Sequence, residues 1–147
     1  MIAKHQRRGA SWWRSGAGHR MLRSGPAWAP DQSLTVTALS CSVAGVWVLR
    51  VVGEVDLLTV NRLREQLHHH LRSDCRGLVL DFTGVSFLAA CAIGVLVEIT
   101  ERTHADGIAL RLVAHHRLVL RALEVSQADQ QISQVSTVAE AIAQCAA

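Results

Sequence analysis

The rhythm of apolar and polar positions changes along the chain, and the changes mark out its elements. Leu34-Thr-Val-Thr-Ala-Leu-Ser-Cys41 alternates between the two, which predicts a strand buried on one face. Ser42 to Gly45 reads as a short turn and Val46 to Val52 as a second strand, so the pair predicts a hairpin. Gly53-Glu-Val-Asp56 is expected to leave the sheet, and Thr59 is placed to cap a helix. In that helix Val60, Leu63, Leu67 and Leu71 form one apolar stripe, with Arg62, Arg64, Glu65, Gln66 and the histidines around the rest.

Residues 73–77 then connect to a central β-prone run at 78–82, and Asp81 to Ser86 carry turn chemistry around Gly84. From Ala90 the residues become small and then aliphatic, with Ile93, Leu96, Val97 and Thr100 at helical spacing. The expectation is buried strand, tight turn, and a helix whose first turn, Ala89-Ala-Cys-Ala92, is exposed at the strand's carboxyl end. In α/β folds that edge meets ligands and partners. Here it offers almost no chemistry.

Ala105-Asp-Gly107 predicts a turn, Ile108 to Ala114 a strand, Leu118 to Val125 a short helix, and Gln131 to Val135 a last short, polar strand. Thr137-Val-Ala-Glu140 has capping-box spacing and should open a helix with Val138, Ala141, Ile142 and Cys145 inward. The order β-β-α-β-α-β-α-(β)-α is that of an α/β domain. Strands separated by helices are expected to be parallel, in one mixed sheet.

Length and composition sharpen this picture in one place. A chain of 147 residues, half of them apolar, suits one domain with a real core. Its net charge of +3 is concentrated in residues 1–33, which hold six of the fifteen Lys and Arg residues and only Asp31 among the acids. That stretch is rich in Arg, Gly, Ser and Pro, has three tryptophans and no sustained period, and is read as a basic, disordered extension. The sharper alternative is a Trp-bearing arm that touches an acidic partner or a membrane surface. Met21 is an alternative translation start that would remove most of the basic excess.

The domain itself is read as 34–147. It carries nine basic against eleven acidic residues, which does not predict a nucleic-acid surface. No run approaches the roughly 20 apolar residues of a membrane span. Trp12-Trp13 leads into Arg14, Gly16, His19 and Arg20 rather than into a signal core, so a cytoplasmic protein is expected. Cys41, Cys75, Cys91 and Cys145 lack any Cys-x-x-Cys pair and are read as reduced thiols.

The candidate chemical groups favour bland readings. Cys91 at a helix N-terminus could be a nucleophile or redox sensor, yet small-residue packing explains it equally well. His68-His-His70 cannot converge on one ion, because successive helix positions point about 100° apart. His115-His116 has no second cluster at zinc spacing, so no metal site and no cofactor are expected. Asp56 and Asp81 are both expected at strand ends near one sheet edge, but no nucleophile or phosphate loop accompanies them.

The ordered set Gly53-Glu-Val-Asp56, Asn61-Arg-Leu-Arg-Glu-Gln-Leu67 and Leu78-Val-Leu-Asp-Phe-Thr-Gly-Val-Ser-Phe-Leu88, followed by Val119-Leu-Arg-Ala-Leu-Glu124 and Val138-Ala-Glu-Ala-Ile142, resembles the STAS domain of anti-sigma factor antagonists over residues 34–147. The resemblance implies a small mixed sheet with four helices largely on one face. It implies a non-enzymatic protein that binds an anti-sigma factor, a histidine-kinase-like ATPase, and so influences sigma-dependent transcription. In that family the partner phosphorylates a serine in an Asp-Ser-Ser-Gly segment, here replaced by Ala89, Ala90, Cys91 and Ala92. Ala90 stands at the acceptor position and cannot be phosphorylated.

The resemblance places partner contacts at Asp56, Leu57, Leu58, Ala89, Ala90, Cys91, Ala92 and Ile93, and gives Asp81 and Gly84 a loop-shaping role. The family's usual prolines are missing from His115 to Arg117, and Gln127 replaces a usual glycine. A homodimer is compatible with this reading. The rival within binding modules is a STAS adaptor subunit of a larger lipid-transport or stress-signalling assembly; an enzyme or redox sensor using Cys91 has the least support.

Overall fold

A computed structural model describes residues 34–40, 43–71 and 74–147. The extension expected over 1–33, together with Cys41, lies outside the described residues.

Strands β1 (Thr35–Ser40) and β2 (Val46–Val55) form the expected hairpin, followed by helix α1 (Val60–His70) and strand β3 (Gly77–Leu88). Helix α2 (Ala90–Ala105), strand β4 (Ala109–Val113) and helix α3 (Arg117–Val125) come next. A 3-10 turn (Ala128–Gln130), the short strand β5 (Gln134–Val135) and helix α4 (Val138–Ala146) complete the described chain. The sheet order is β1-β2-β3-β4-β5, with β1 antiparallel to β2 and every later pair parallel.

That sequential order explains the layering. Each crossover from β2 to β5 steps in the same direction across the sheet, so crossovers of one hand place their helices on one face. Leu49, Val51, Leu78, Leu80, Phe82, Leu110 and Leu112 therefore share a core with α1, α2 and α3. Helix α4 follows the last strand and connects nothing further, so it is free to cover the other face. There Ala141 and Cys145 pack with Val46, Val48, Val79 and Val113. The inward stripe expected for α4 is borne out.

Two expectations about the central strands need correction. The sheet does not end at Val52, nor does the chain turn around Gly84: β2 runs on to Val55 and β3 to Leu88. Their register starts at Val46↔Gly77 and ends at Val55↔Leu88, with shifts between Arg50 and Val52 and between Gly53 and Glu54. Strand β3 thus carries two more residues than the stretch of β2 it pairs with, one at each of two β-bulges. Its positions that face the main core, Leu78, Leu80, Phe82, Val85 and Leu88, fall at intervals of two, two, three and three. A bulge breaks strict alternation, and the broken alternation reads as a turn.

Gly53 sits opposite the second bulge with φ +120°, a backbone region that side chains rarely adopt. Gly84 meets a different demand. A Cβ there would lie 2.8 Å from Cγ2 of Val52, so only a bare backbone lets the two strands pair at this position.

Candidate functional site: the carboxyl edge of the parallel strands

Because β2, β3 and β4 are parallel, the segments that follow them all emerge at one edge of the sheet. Val55 and Leu88 are the last register pair, and the Ala89 N–H donates to the Val55 carbonyl at 2.8 Å. The segments Asp56–Leu58 and Ala89–Cys91 are thereby held side by side. The sequence-predicted juxtaposition is present.

On the β2 side, the chain is turned by Asp56. Its Oδ1 accepts from the Leu58 N–H at 2.9 Å and the Thr59 N–H at 3.1 Å, while its own carbonyl receives the Val60 N–H at 2.9 Å. Thr59, expected to cap α1, is buried and makes no side-chain cap hydrogen bond; its hydroxyl donates instead to the Glu54 carbonyl at 2.8 Å. It also accepts the Asp56 N–H at 3.0 Å. This small network uses Asp56 internally and leaves it half-buried. It also forces Leu57 and Leu58 outward, where they are 79% and 70% exposed. The two leucines make an adjacent pair of exposed apolar side chains at this turn.

On the β3 side, Ala89 takes the N-cap position of α2 in an extended conformation (φ −76°, ψ 162°) and has no side-chain acceptor to offer. Its carbonyl receives the N–H groups of Ala92 and Ile93 at 3.0 and 3.2 Å. Helical rotation then decides which of the small residues can be touched. Ala90 is exposed, and Ala89 and Cys91 are half-buried. Ala92 and Ile93, expected on the docking surface, face the core instead. Cys91 packs partly against the core.

Asp81 and Gly84, expected to shape a loop, lie within β3, and Asp81 is not at a strand end. Its side chain is 3% exposed on the sheet face opposite α1 to α3, where Oδ2 accepts from Nε of Arg50 at 3.1 Å. Oδ1 accepts both the N–H and the hydroxyl of Thr83, at 3.1 and 2.7 Å. Thr83 is in the first bulge and has no register partner on β2, so Asp81 satisfies a group the ladder leaves over. Burial by itself would raise the Asp81 pKa; the hydrogen bonds from Thr83 and the Arg50 guanidinium outweigh it and hold the carboxyl below its ordinary value. Asp56 and Asp81 are not neighbours, and no acid–base pair forms between them.

The other candidates are also resolved by their partners. His68 lies between Glu98 (3.2 Å) and Arg102 (3.0 Å), whereas His70 meets the Gln66 carbonyl at 2.8 Å and stacks at a tilt on Trp47. His115 binds the Ser136 carbonyl at 2.7 Å, and His116 caps α3 by accepting the Leu118 N–H. No group of three or more His, Cys, Asp or Glu residues able to hold a metal occurs among the described residues. Burial pushes the Cys75 thiol pKa up, away from reactivity. No helix among the described residues is long and apolar enough to cross a membrane.

Sequence reasoning missed Phe87 and Leu118, which are 42% and 51% exposed. Phe87 is turned outward by the second bulge, for which the sequence carries no local signal. Leu118 could have been found from its place beside the expected start of α3 at the same sheet edge.

Comparison with known proteins bears on the same features. The family model described as STAS domain matches residues 42–141. The anti-sigma-F factor antagonist RsfB of Mycobacterium tuberculosis is 29% identical over 114 residues, covering 78% of this chain and 90% of that protein. Among solved structures, an anti-sigma factor antagonist from Mycobacterium paratuberculosis superposes with a TM-score of 0.71 at 24% identity, covering 80% of this chain and 97% of the other. The Bacillus cell fate determinant SpoIIAA, in its phosphorylated form, has a TM-score of 0.58 at 16% identity, covering 75% and 98%. The likeness to these two structures shows the shared fold.

Proposed function

The chain belongs to the STAS domain family, and we propose that it acts as an anti-sigma factor antagonist whose docking edge stays permanently in its unmodified state. The partner is an anti-sigma factor of the histidine-kinase-like ATPase type, and its capture releases a sigma factor for transcription. The protein is a cytoplasmic binding module and performs no catalysis of its own. The domain comprises residues 34–147, with 1–33 as an extension. Relatives named as antagonists support the reading from outside.

The observation that carries the proposal is Ala90, exposed at the first turn of α2 beside Leu57 and Leu58. A phosphoserine at such a position would bring a dianion and three acceptor oxygens to the edge. The helix N-terminus would tolerate that charge, but an apolar partner surface would have to bury it. A methyl group allows neither phosphorylation nor repulsion. Binding is then set by partner concentration, or by a competitor, and not by the partner's kinase activity.

The test is titration calorimetry with the cognate anti-sigma factor, with and without ATP. Wild type should bind equally in both conditions. Ala90→Glu should bind about 30-fold or more weakly, the cost of an unpaired charge in an interface. Ala90→Ser should regain ATP-dependent release. Phosphorylation of the wild type at another residue, with release, would refute the unregulated reading.

A further inference from the structure

Among the described residues, the face of the sheet opposite α1 to α3 is only partly covered. Helix α4 packs over its lower part, on Val46, Val48, Val79 and Val113. Above it the register places Arg50, Val52 and Glu54 of β2 in one outward row, with Asp81, Gly84 and Phe87 as their partners on β3. Val52 and Phe87 are 44% and 42% exposed. The outward residues of β1 beside this row, Thr35 and Thr37, are exposed and uncharged.

The charges in this row are arranged in a particular way. Asp81 holds Arg50 through Nε alone, at 3.1 Å, so both terminal amino groups of a half-exposed guanidinium remain available. Four residues further along the same strand and on the same face, the exposed Glu54 carboxylate makes no ion pair among the described residues. Val52 is midway between them. The row therefore reads cation, apolar residue, anion, and it is self-complementary on reversal.

We infer that this face is a homodimer interface in which two copies of the chain pack sheet against sheet about a two-fold axis passing near Val52. Reversal of the strand across the axis sets Arg50 of each copy opposite Glu54 of the other, as an isologous contact requires. Val52 meets its own counterpart on the axis, and Phe87 flanks it. Facing sheets pack about 10 Å apart with their strands nearly aligned. A helix packed on a sheet occupies a layer of about the same thickness. The α4 helices can thus lie beside the partner's sheet without holding the two apart. Arg50 supplies specificity because Asp81 has already oriented it, so little side-chain freedom remains to be lost on association. The inference rests on the open β2 and β3 row and not on the proposed function, although the same reversal sets each α4, packed at the Val46 end, toward the partner's Val55 end.

Sedimentation equilibrium of the full chain tests it. Wild type should associate to a dimer, and Glu54→Arg, which sets arginine against arginine, should raise the dissociation constant about tenfold or more. Unchanged circular dichroism will show that the variant folds. Oxidation of Val52→Cys should yield cross-linked dimer above the wild-type level, and oxidation of Val125→Cys, exposed on α3, should not. A wild type that remains monomeric at every concentration would overturn the inference. So would a dimer insensitive to Glu54→Arg, or equal cross-linking through Val125→Cys.

Discussion

Set against the pattern that the family resemblance implies, Ala90 and Gln127 differ in opposite ways. Ala90 removes a chemical capability and costs the fold nothing, because its side chain is exposed at an N-terminal turn. Gln127 keeps the geometry that a glycine would serve and bears the strain, since its φ of +61° is in the left-handed region. That conformation costs a side-chain-bearing residue about 1–2 kcal/mol, partly offset by the entropy glycine loses on folding. Gln127→Gly should therefore raise unfolding stability by about 0.5–1 kcal/mol, measured by urea denaturation. An unchanged or lower midpoint would mean that the side chain makes a compensating contact.

Strand β3 shows how one side chain can hold an irregular element in place. Its first bulge leaves the Thr83 N–H without a ladder partner, and Asp81 collects that N–H, the Thr83 hydroxyl and Arg50. Asp81→Asn should destabilise the domain by about 1–3 kcal/mol at neutral pH, since hydrogen bonds to a charged acceptor are lost or weakened. The sign of the pH dependence follows from the depressed pKa. Stability from the charged form is fully present above the unfolded-state value of 3.8 and disappears as pH falls through the lower folded value. The difference between wild type and variant in denaturation experiments should accordingly shrink on acidification below pH 3.8. A difference that stayed constant into that range would remove the charge from the account. Capping also departs slightly from the sequence pattern. Thr137 accepts the Glu140 N–H at 3.1 Å as expected, but Glu140 reaches back one residue too far and accepts from Ser136.

At the scale of the described domain, the surfaces differ in character. One sheet face and three helices form the main core, the carboxyl edge presents Leu57, Leu58 and Ala90, and the opposite face is shared between α4 and an open row of β2 and β3 residues. Because Leu57 and Leu58 are exposed, Leu57→Ser with Leu58→Ser should weaken partner binding about tenfold or more while leaving thermal stability nearly unchanged. Loss of stability in parallel with loss of binding would mean that the leucines support the fold and not the docking edge.

Most of the element order was legible in the sequence because helix stripes, the hairpin alternation and capping residues are local patterns. The stripe of Val60, Leu63 and Leu67 predicted α1, and the identity of residue 90 alone excluded a phosphoserine. The bulges of β3 were not legible, since a strand's face is set by its neighbour's register and the run from Asp81 to Ser86 has turn-like composition. The same limit hid the outward row from Arg50 to Glu54, whereas the burial of Ala92 and Ile93 follows from the rotation of α2 and the internal use of Asp56 from its local turn. Local sequence determined which elements form and which chemistry is missing. Pairing between strands distant in the chain decided which side chains meet and which remain exposed, because only the register of two strands fixes the face to which each residue points.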